Sequence, residues 1–173
     1  MSNTPIINKV AQSGILTLNL EGFLPKEELV AFDIKQYLFK ELLLKEKDFR
    51  AAMKVHDWAQ YKGKAVAIFC SSDAIVPAWA YMVIASALSK FTSNYLFGNV
   101  AELKAVLFLN NIKELDIKKY ENQRVVVKGC GDVEIPTVAY VEATRLLRSA
   151  AKSIMYGEPC STVPIYKQPL KRN

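Results

Sequence analysis

The chain has 173 residues, of which 51% are hydrophobic and 23% charged. That balance is typical of a soluble globular protein, and the length suits one well-packed core but not two ordinary domains. No run of about 18 apolar residues occurs, so no hydrophobic helix is expected to cross a membrane. The net charge is +6, yet the lysines are dispersed among acidic residues, as in Lys45-Glu46-Lys47-Asp48. The one basic cluster is Lys167–Arg172, so the pattern argues against a nucleic-acid surface, which needs a patch or stripe. Met1–Lys9 lacks a basic region followed by an apolar one, which points to a cytoplasmic protein.

Ile15–Leu20 alternates apolar and polar residues and predicts a half-buried strand. Glu21-Gly22 breaks it, and Pro25 opens the next segment. Apolar residues across Phe32–Leu44 predict a short helix from about Asp33, then an extended stretch through Leu42–Leu44. In Glu46–Val55, Phe49, Ala52, Met53 and the following His56 share one helical face. Asp57 is placed to cap a single helical turn ending at Tyr61, and Lys62-Gly63-Lys64 turns the chain. Ala65–Phe69 is a continuous apolar run of strand length, which predicts a central strand covered on both faces. Cys70 stands at its end. Ser71–Val76 reads as a loop, and Pro77 as the first position of a helix reaching Lys90. That helix is apolar nearly all round, so the sequence predicts it largely buried. Leu103–Leu109 reads as a strand. Asp116–Tyr120 repeats the capped turn, Arg124–Lys128 is a valine-rich strand, Gly129-Cys130-Gly131-Asp132 is a loop, and Pro136–Lys152 is a helix. Tyr156–Pro164 reads as a proline-bounded loop, and 161–173 as an extended tail.

Residues 49–88 align without a gap on residues 108–147, 59 residues later. The identities include Phe49/Phe108, Asp57/Asp116, Tyr61/Tyr120, Val66/Val125, Asp73/Asp132, Pro77/Pro136, Tyr81/Tyr140 and Leu88/Leu147. A turn–strand–loop–helix unit made twice predicts an α/β (or α+β) fold, with residues 1–173 forming one layered domain that carries an internal duplication. If the two repeated strands share a sheet, their crossover should be right-handed. A homo-oligomer is left open.

Three cysteines and one histidine occur. An odd cysteine count in a reducing compartment argues against a disulfide framework. The plain alternative is that the cysteines are small buried hydrophobes, and this fits Cys70 best. Cys130 lies between two glycines, which let backbone approach a ligand closely, and Cys160 is flanked by Pro159 and Ser161. Cys70 and Cys130 both follow strand ends, where ligands bind in open α/β sheets, and both shortly precede a helix N-terminus, which stabilises thiolate. Three thiolates in reach would hold zinc or iron. His56 is a candidate fourth ligand, although a strand of five or six residues spans roughly 17–20 Å and would put it at the opposite edge of the sheet from Cys70. Asp73, Asp132, Glu158 or a water could complete the set instead. Asp73 and Asp132 also suit capping of loop amides or orienting a ligand. No phosphate loop, dinucleotide fingerprint or serine-hydrolase elbow is present.

The strings VHDWAQYKGKAVAIFCSSDAIVPAWAYM, KGCGDVEIPTVAYVEATRLLR and SIMYGEPCSTVPIYK resemble an uncharacterised bacterial family, domain of unknown function 2480, over about Leu24–Lys167. The resemblance implies a metal-binding role and a connection with iron–sulfur cluster assembly. His56, Cys70, Asp73, Cys130, Asp132, Glu158 and Cys160 all fall inside the resembling strings. Three expectations follow. One is a cytoplasmic zinc protein with Cys70, Cys130, Cys160 and His56 or a carboxylate as ligands. Another is an accessory or scaffold protein for iron–sulfur assembly, holding iron or a cluster and meeting the assembly proteins as partners. The last is an interaction module with inert cysteines. Whether the protein is an enzyme is left undecided.

Overall fold

Short apolar runs closed by turn residues build seven strands and four α-helices among the described residues. The computed structural model describes residues 14–129, 131, 133–158 and 161–169. The strands are β1 (Ile15–Asn19), β2 (Leu29–Asp33), β3 (Ala65–Phe69), β4 (Tyr95–Phe97), β5 (Arg124–Lys128), β6 (Ser153–Glu158) and β7 (Ser161–Lys167). The helices are α1 (Glu46–Val55), α2 (Ala78–Leu88), α3 (Val100–Ile112) and α4 (Thr137–Leu147). Helices alternating with parallel strands make this an α/β fold. The chain divides into two compact units: Pro25–Leu107, and the residues up to Leu24 together with those from Phe108 onward.

In the Pro25–Leu107 unit, β2, β3 and β4 form a parallel sheet with β3 in the middle. Ala65–Ile68 of β3 are all buried because both faces are covered. On one face Val66, Ile68 and Phe32 pack with Phe49 and Met53 of α1 and with Ala80, Ile84 and Leu88 of α2. On the other, Ala65 and Ala67 meet Leu103 and Leu107 of α3. Small residues on that second face let the helix approach, and the bulky face carries most of the apolar area. Each large side chain fully buried there contributes roughly 1.5–3 kcal/mol.

In the other unit, β1, β5 and β6 run parallel, and β7 adds antiparallel to β6. Leu18, Val125, Val127 and Ile154 pack with Phe108, Ile112 and the α4 residues Ala139, Ala143 and Leu147. The two units share an element order at one offset. The 3₁₀ turn Trp58–Tyr61, β3 and α2 begin at 58, 65 and 78; the turn Ile117–Tyr120, β5 and α4 begin at 117, 124 and 137. Register follows: Val66 pairs with Tyr95, and Val125 with Ile154. Asp57 and Asp116 cap their turns through Ala59 N–H and Lys118 N–H, as the sequence predicts. Gly63 and Asn122 both take the left-handed conformation after them, φ 71° and 57°, which glycine and asparagine accept most readily.

Several expectations are corrected. The short helix expected from about Asp33 is a 3₁₀ helix, Ile34–Tyr37, with Asp33 as its cap, but Asp33 also ends strand β2, which the sequence does not predict. The stretch expected to be extended through Leu42–Leu44 instead begins in a turn that includes Leu42, and Leu43 makes an isolated bridge with Phe39. Leu103–Leu109 lies in α3, since an apolar run alone cannot separate a buried helix from a strand. The loop and tail read over 156–173 contain the β6–β7 hairpin instead, with Pro164 on the outermost strand, beside a register shift at Ile154/Met155. Edge strands and bulges are where proline is tolerated. Pro77 and Pro136 sit one residue before their helices in extended conformation. Nor is α2 buried all round. Only Ala80, Ile84 and Leu88 are fully enclosed, a stripe of every fourth residue, and Met82 is 69% exposed. The repeated strands β3 and β5 belong to separate sheets, so the conditional crossover between them does not arise. Among the described residues no helix is long and apolar enough to cross a membrane.

Candidate functional site

His56 closes α1, its amide donating to Ala52 carbonyl at 3.0 Å. Its ring takes partners from the two ends of the β2–β3 connection in sequence. Nδ1 is 3.0 Å from the hydroxyl of Tyr37, which follows the carboxyl end of β2. Nε2 is 3.3 Å from the hydroxyl of Tyr61, which precedes the amino end of β3. Phe32 and Trp58 stand edge-on to the imidazole, with centroids at 5.3 and 4.7 Å. Burial pushes the His56 pKa down, against a weaker upward pull from Asp57. A neutral imidazole offers one donor and one acceptor, and two tyrosine hydroxyls match that pair.

Cys70 follows β3 and is partly buried at the margin of the same core. Burial raises the Tyr81 pKa, and the Cys70 thiol adds to the effect. Beside Cys70, Ser71 donates to Asp33 through its amide at 3.0 Å and its hydroxyl at 2.5 Å. Desolvation of the Asp33 carboxyl works upward, but the Ser71 and Lys35 hydrogen bonds outweigh it and the net shift is down. Asp73 is exposed in the loop that follows.

The second sheet presents a different set at its carboxyl edge. Lys128, the last residue of β5, and Glu158, the last of β6, form an ion pair at 2.9 Å. After β1, the side chain of Asn19 accepts from Glu21 N–H at 3.1 Å and so starts the 3₁₀ turn Leu20–Phe23. This capping carries Glu21 to the same edge, because Asn19 pairs with Lys128. The Oε1 atom of Glu21 is buried and has no hydrogen-bond partner among the described residues. It lies against Gly131, where a Cβ would fall on that oxygen. A Cβ at Gly129 would likewise meet the hydroxyl of Tyr140, which donates to Gly129 carbonyl at 3.1 Å. The close approach expected of these glycines is therefore made by Tyr140 and Glu21. Tyr140 and Tyr156 pack edge to face at 5.6 Å, over a 320 Å³ apolar cavity that also touches Val127, Ile154 and Ile165.

Cys130, Asp132 and Cys160 lie outside the described residues. Among the described residues, no three of His, Cys, Asp and Glu come together as a metal site. Of the expected ligands, His56 and Cys70 fall in the Pro25–Leu107 unit and Glu158 in the other. Glu21 was not foreseen. Its only trace in the sequence is an asparagine two residues earlier, at a strand end, in the spacing of a side-chain-capped turn.

The family profile described as "Protein of unknown function (DUF2480)" matches residues 4–168. None of the curated proteins compared with the chain matches it.

Proposed function

Because the chain belongs to the DUF2480 family of proteins of unknown function, no activity comes with its kinship, and we propose from its geometry that it binds a zinc ion through Cys130 and Cys160. The supporting observation is the pairing of β5 with β6. These neighbours run parallel and in register to Val127 and Tyr156, and Lys128 and Glu158 join their ends at 2.9 Å. Cys130 is two residues beyond Lys128, and Cys160 two beyond Glu158. Two residues of chain reach about 7 Å, and adjacent strands lie about 4.8 Å apart. A thiolate pair favours zinc or iron over magnesium or calcium.

Two observations set the limits of the ligand set. Both His56 nitrogens have hydroxyl partners, so ligation there would displace a tyrosine. Glu158 is engaged by Lys128, which leaves it a weaker ligand than a free carboxylate. The 59-residue offset shared by the two units also supports a common origin, with the cysteines placed unequally on the two copies.

Elemental analysis of protein purified without chelators tests the proposal. About one zinc per chain is expected, lost in both Cys130→Ser and Cys160→Ser. A brown anaerobic preparation containing iron and sulfide would instead favour a role in iron–sulfur assembly. Absence of any metal would overturn both.

A further inference from the structure

We infer that the groove between α1 and α2 docks a partner's helical peptide segment, one that presents a glutamate or aspartate beside apolar side chains. The groove has a volume of about 280 Å³. It is lined by Met53 of α1 and by Val83 and Ala87 of α2, with Arg50, Lys54 and Lys90 around them. Met53 is buried, Val83 and Ala87 are half-buried, and the three cations are exposed, so an apolar floor carries a basic rim. Arg50 is already engaged: it donates to Glu46 at 2.8 Å and lies over the Trp79 ring. Lys54 and Lys90 have no ion pair among the described residues, and α2 carries no charged residue that could answer them. A carboxylate held against the apolar floor would meet these lysines partly out of water, where opposite charges attract more strongly.

The other unit supplies the missing acid from its own chain. At the 59-residue offset Met53 aligns with Ile112, Lys54 with Lys113 and Val83 with Glu142. The Glu142 side chain on α4 is only 16% exposed and accepts two hydrogen bonds from Arg145, at 2.7 and 2.6 Å. Those bonds, together with the Arg145 and Lys113 charges, hold its carboxyl below the usual carboxylate range against the opposing effect of desolvation. In the Pro25–Leu107 unit the lysine is kept, but the acid is replaced by Val83 and its arginine by Ser86. A further cation, Lys90, stands where the other unit has Ser149. The first unit therefore has the cations of this arrangement, an open groove and no acid to fill it. A helical segment with an acidic residue one turn from an apolar one meets both needs, since residues four apart share a helix face, and a helix laid in an apolar groove is a recurring mode of recognition. A nucleic-acid backbone would use the lysines but leave the apolar floor uncovered.

The test uses the full chain and a capped, fluorescein-labelled helical peptide with leucines along one face and glutamates beside them, read by fluorescence anisotropy. Two control peptides replace every glutamate with glutamine or every leucine with alanine. The expected result is saturable binding of the first peptide that weakens with added salt. Affinity should be lower by about tenfold or more for either control peptide, and by as much when Lys54→Gln and Lys90→Gln are combined, which is what losing one charge-assisted hydrogen bond costs. Val83→Glu gives the groove the acid that the other unit has, and it should weaken peptide binding to the same degree in a protein that still unfolds cooperatively in urea. No saturable binding, equal binding of the glutamine peptide, or full binding by the lysine double variant would overturn the inference, meaning that Lys54 and Lys90 only complement the carboxyl ends of their helices. A single-stranded oligonucleotide that binds more tightly than the peptide, and is lost in the same double variant, would overturn it in favour of a nucleic-acid surface. If Val83→Glu does not fold, the double variant at the two exposed lysines decides alone.

Discussion

Replacing His56 with alanine separates a structural histidine from a ligand. The imidazole joins the hydroxyls of Tyr37 and Tyr61 at 3.0 and 3.3 Å, and Tyr61 is only 7% exposed. Removing the ring leaves both hydroxyls without their partner, and one unsatisfied hydroxyl costs about 1–3 kcal/mol when water cannot reach it. The edge-on contacts with Phe32 and Trp58 add about 0.5–1.5 kcal/mol each at most. His56 itself is only half-buried, so water enters the gap beside Tyr37 and reduces the first term there. The expected loss is about 2–4 kcal/mol, a large share of the total stability of a small protein. Urea unfolding measures it as a lower midpoint at unchanged slope, and zinc content of the same samples should not change. Stability within about 0.5 kcal/mol of wild type, or zinc lost from a protein that remains as stable, would refute this reasoning and return His56 to the ligand set.

The same residue predicts a pH dependence. Burial lowers the His56 pKa below its usual value of 6.5, so between the folded and unfolded values the unfolded chain binds more protons. Stability from this group is then complete above about pH 6.5 and declines as pH falls through the folded value. Urea midpoints across that range should fall on acidification in wild type and flatten in His56→Phe. At the second sheet, Gly131→Ala puts a methyl where Glu21 Oε1 stands. The displaced atom ends a flexible side chain, so stability in urea unfolding should change by less than about 1 kcal/mol, below the usual cost of an overpacked core. Lys128→Met removes an ion pair whose side chains are about a third exposed. It should cost less than about 1 kcal/mol in thermal or urea unfolding.

The sequence is legible where local chemistry decides. β3 is a continuous apolar run and is covered on both faces. Asp57 and Asp116 precede their turns at capping distance and do cap them. The 59-residue repeat anticipates the shared order of turn, strand and helix. It fails where partners far along the chain decide. Asp33 does start a short helical turn, but the strand that leads into it is not visible locally, because the adjacent β3 draws Leu29–Asp33 into a sheet. Leu103–Leu109 is an apolar run too short to show a helical period, and its burial of Leu103 and Leu107 against Ala65 and Ala67 of the distant β3 is not visible locally. β7 hides behind its proline and short polar residues.

For the candidate site, the position of Cys70 at a strand end is readable from the sequence, whereas Glu158, read as part of a loop, ends β6. His56 misleads because cysteines and one histidine form a familiar zinc set, while its tyrosine partners lie 19 residues before it and 5 after it. Glu21 is invisible because its place at this edge depends on β1 lying beside β5, a pairing across more than 100 residues that no local pattern encodes.

The zinc content of Cys130→Ser and Cys160→Ser, set against wild type purified in parallel, tests the central claim most directly. About one equivalent in wild type and little in either variant is the predicted result. Full metal retention by both variants, or none in wild type, would contradict it.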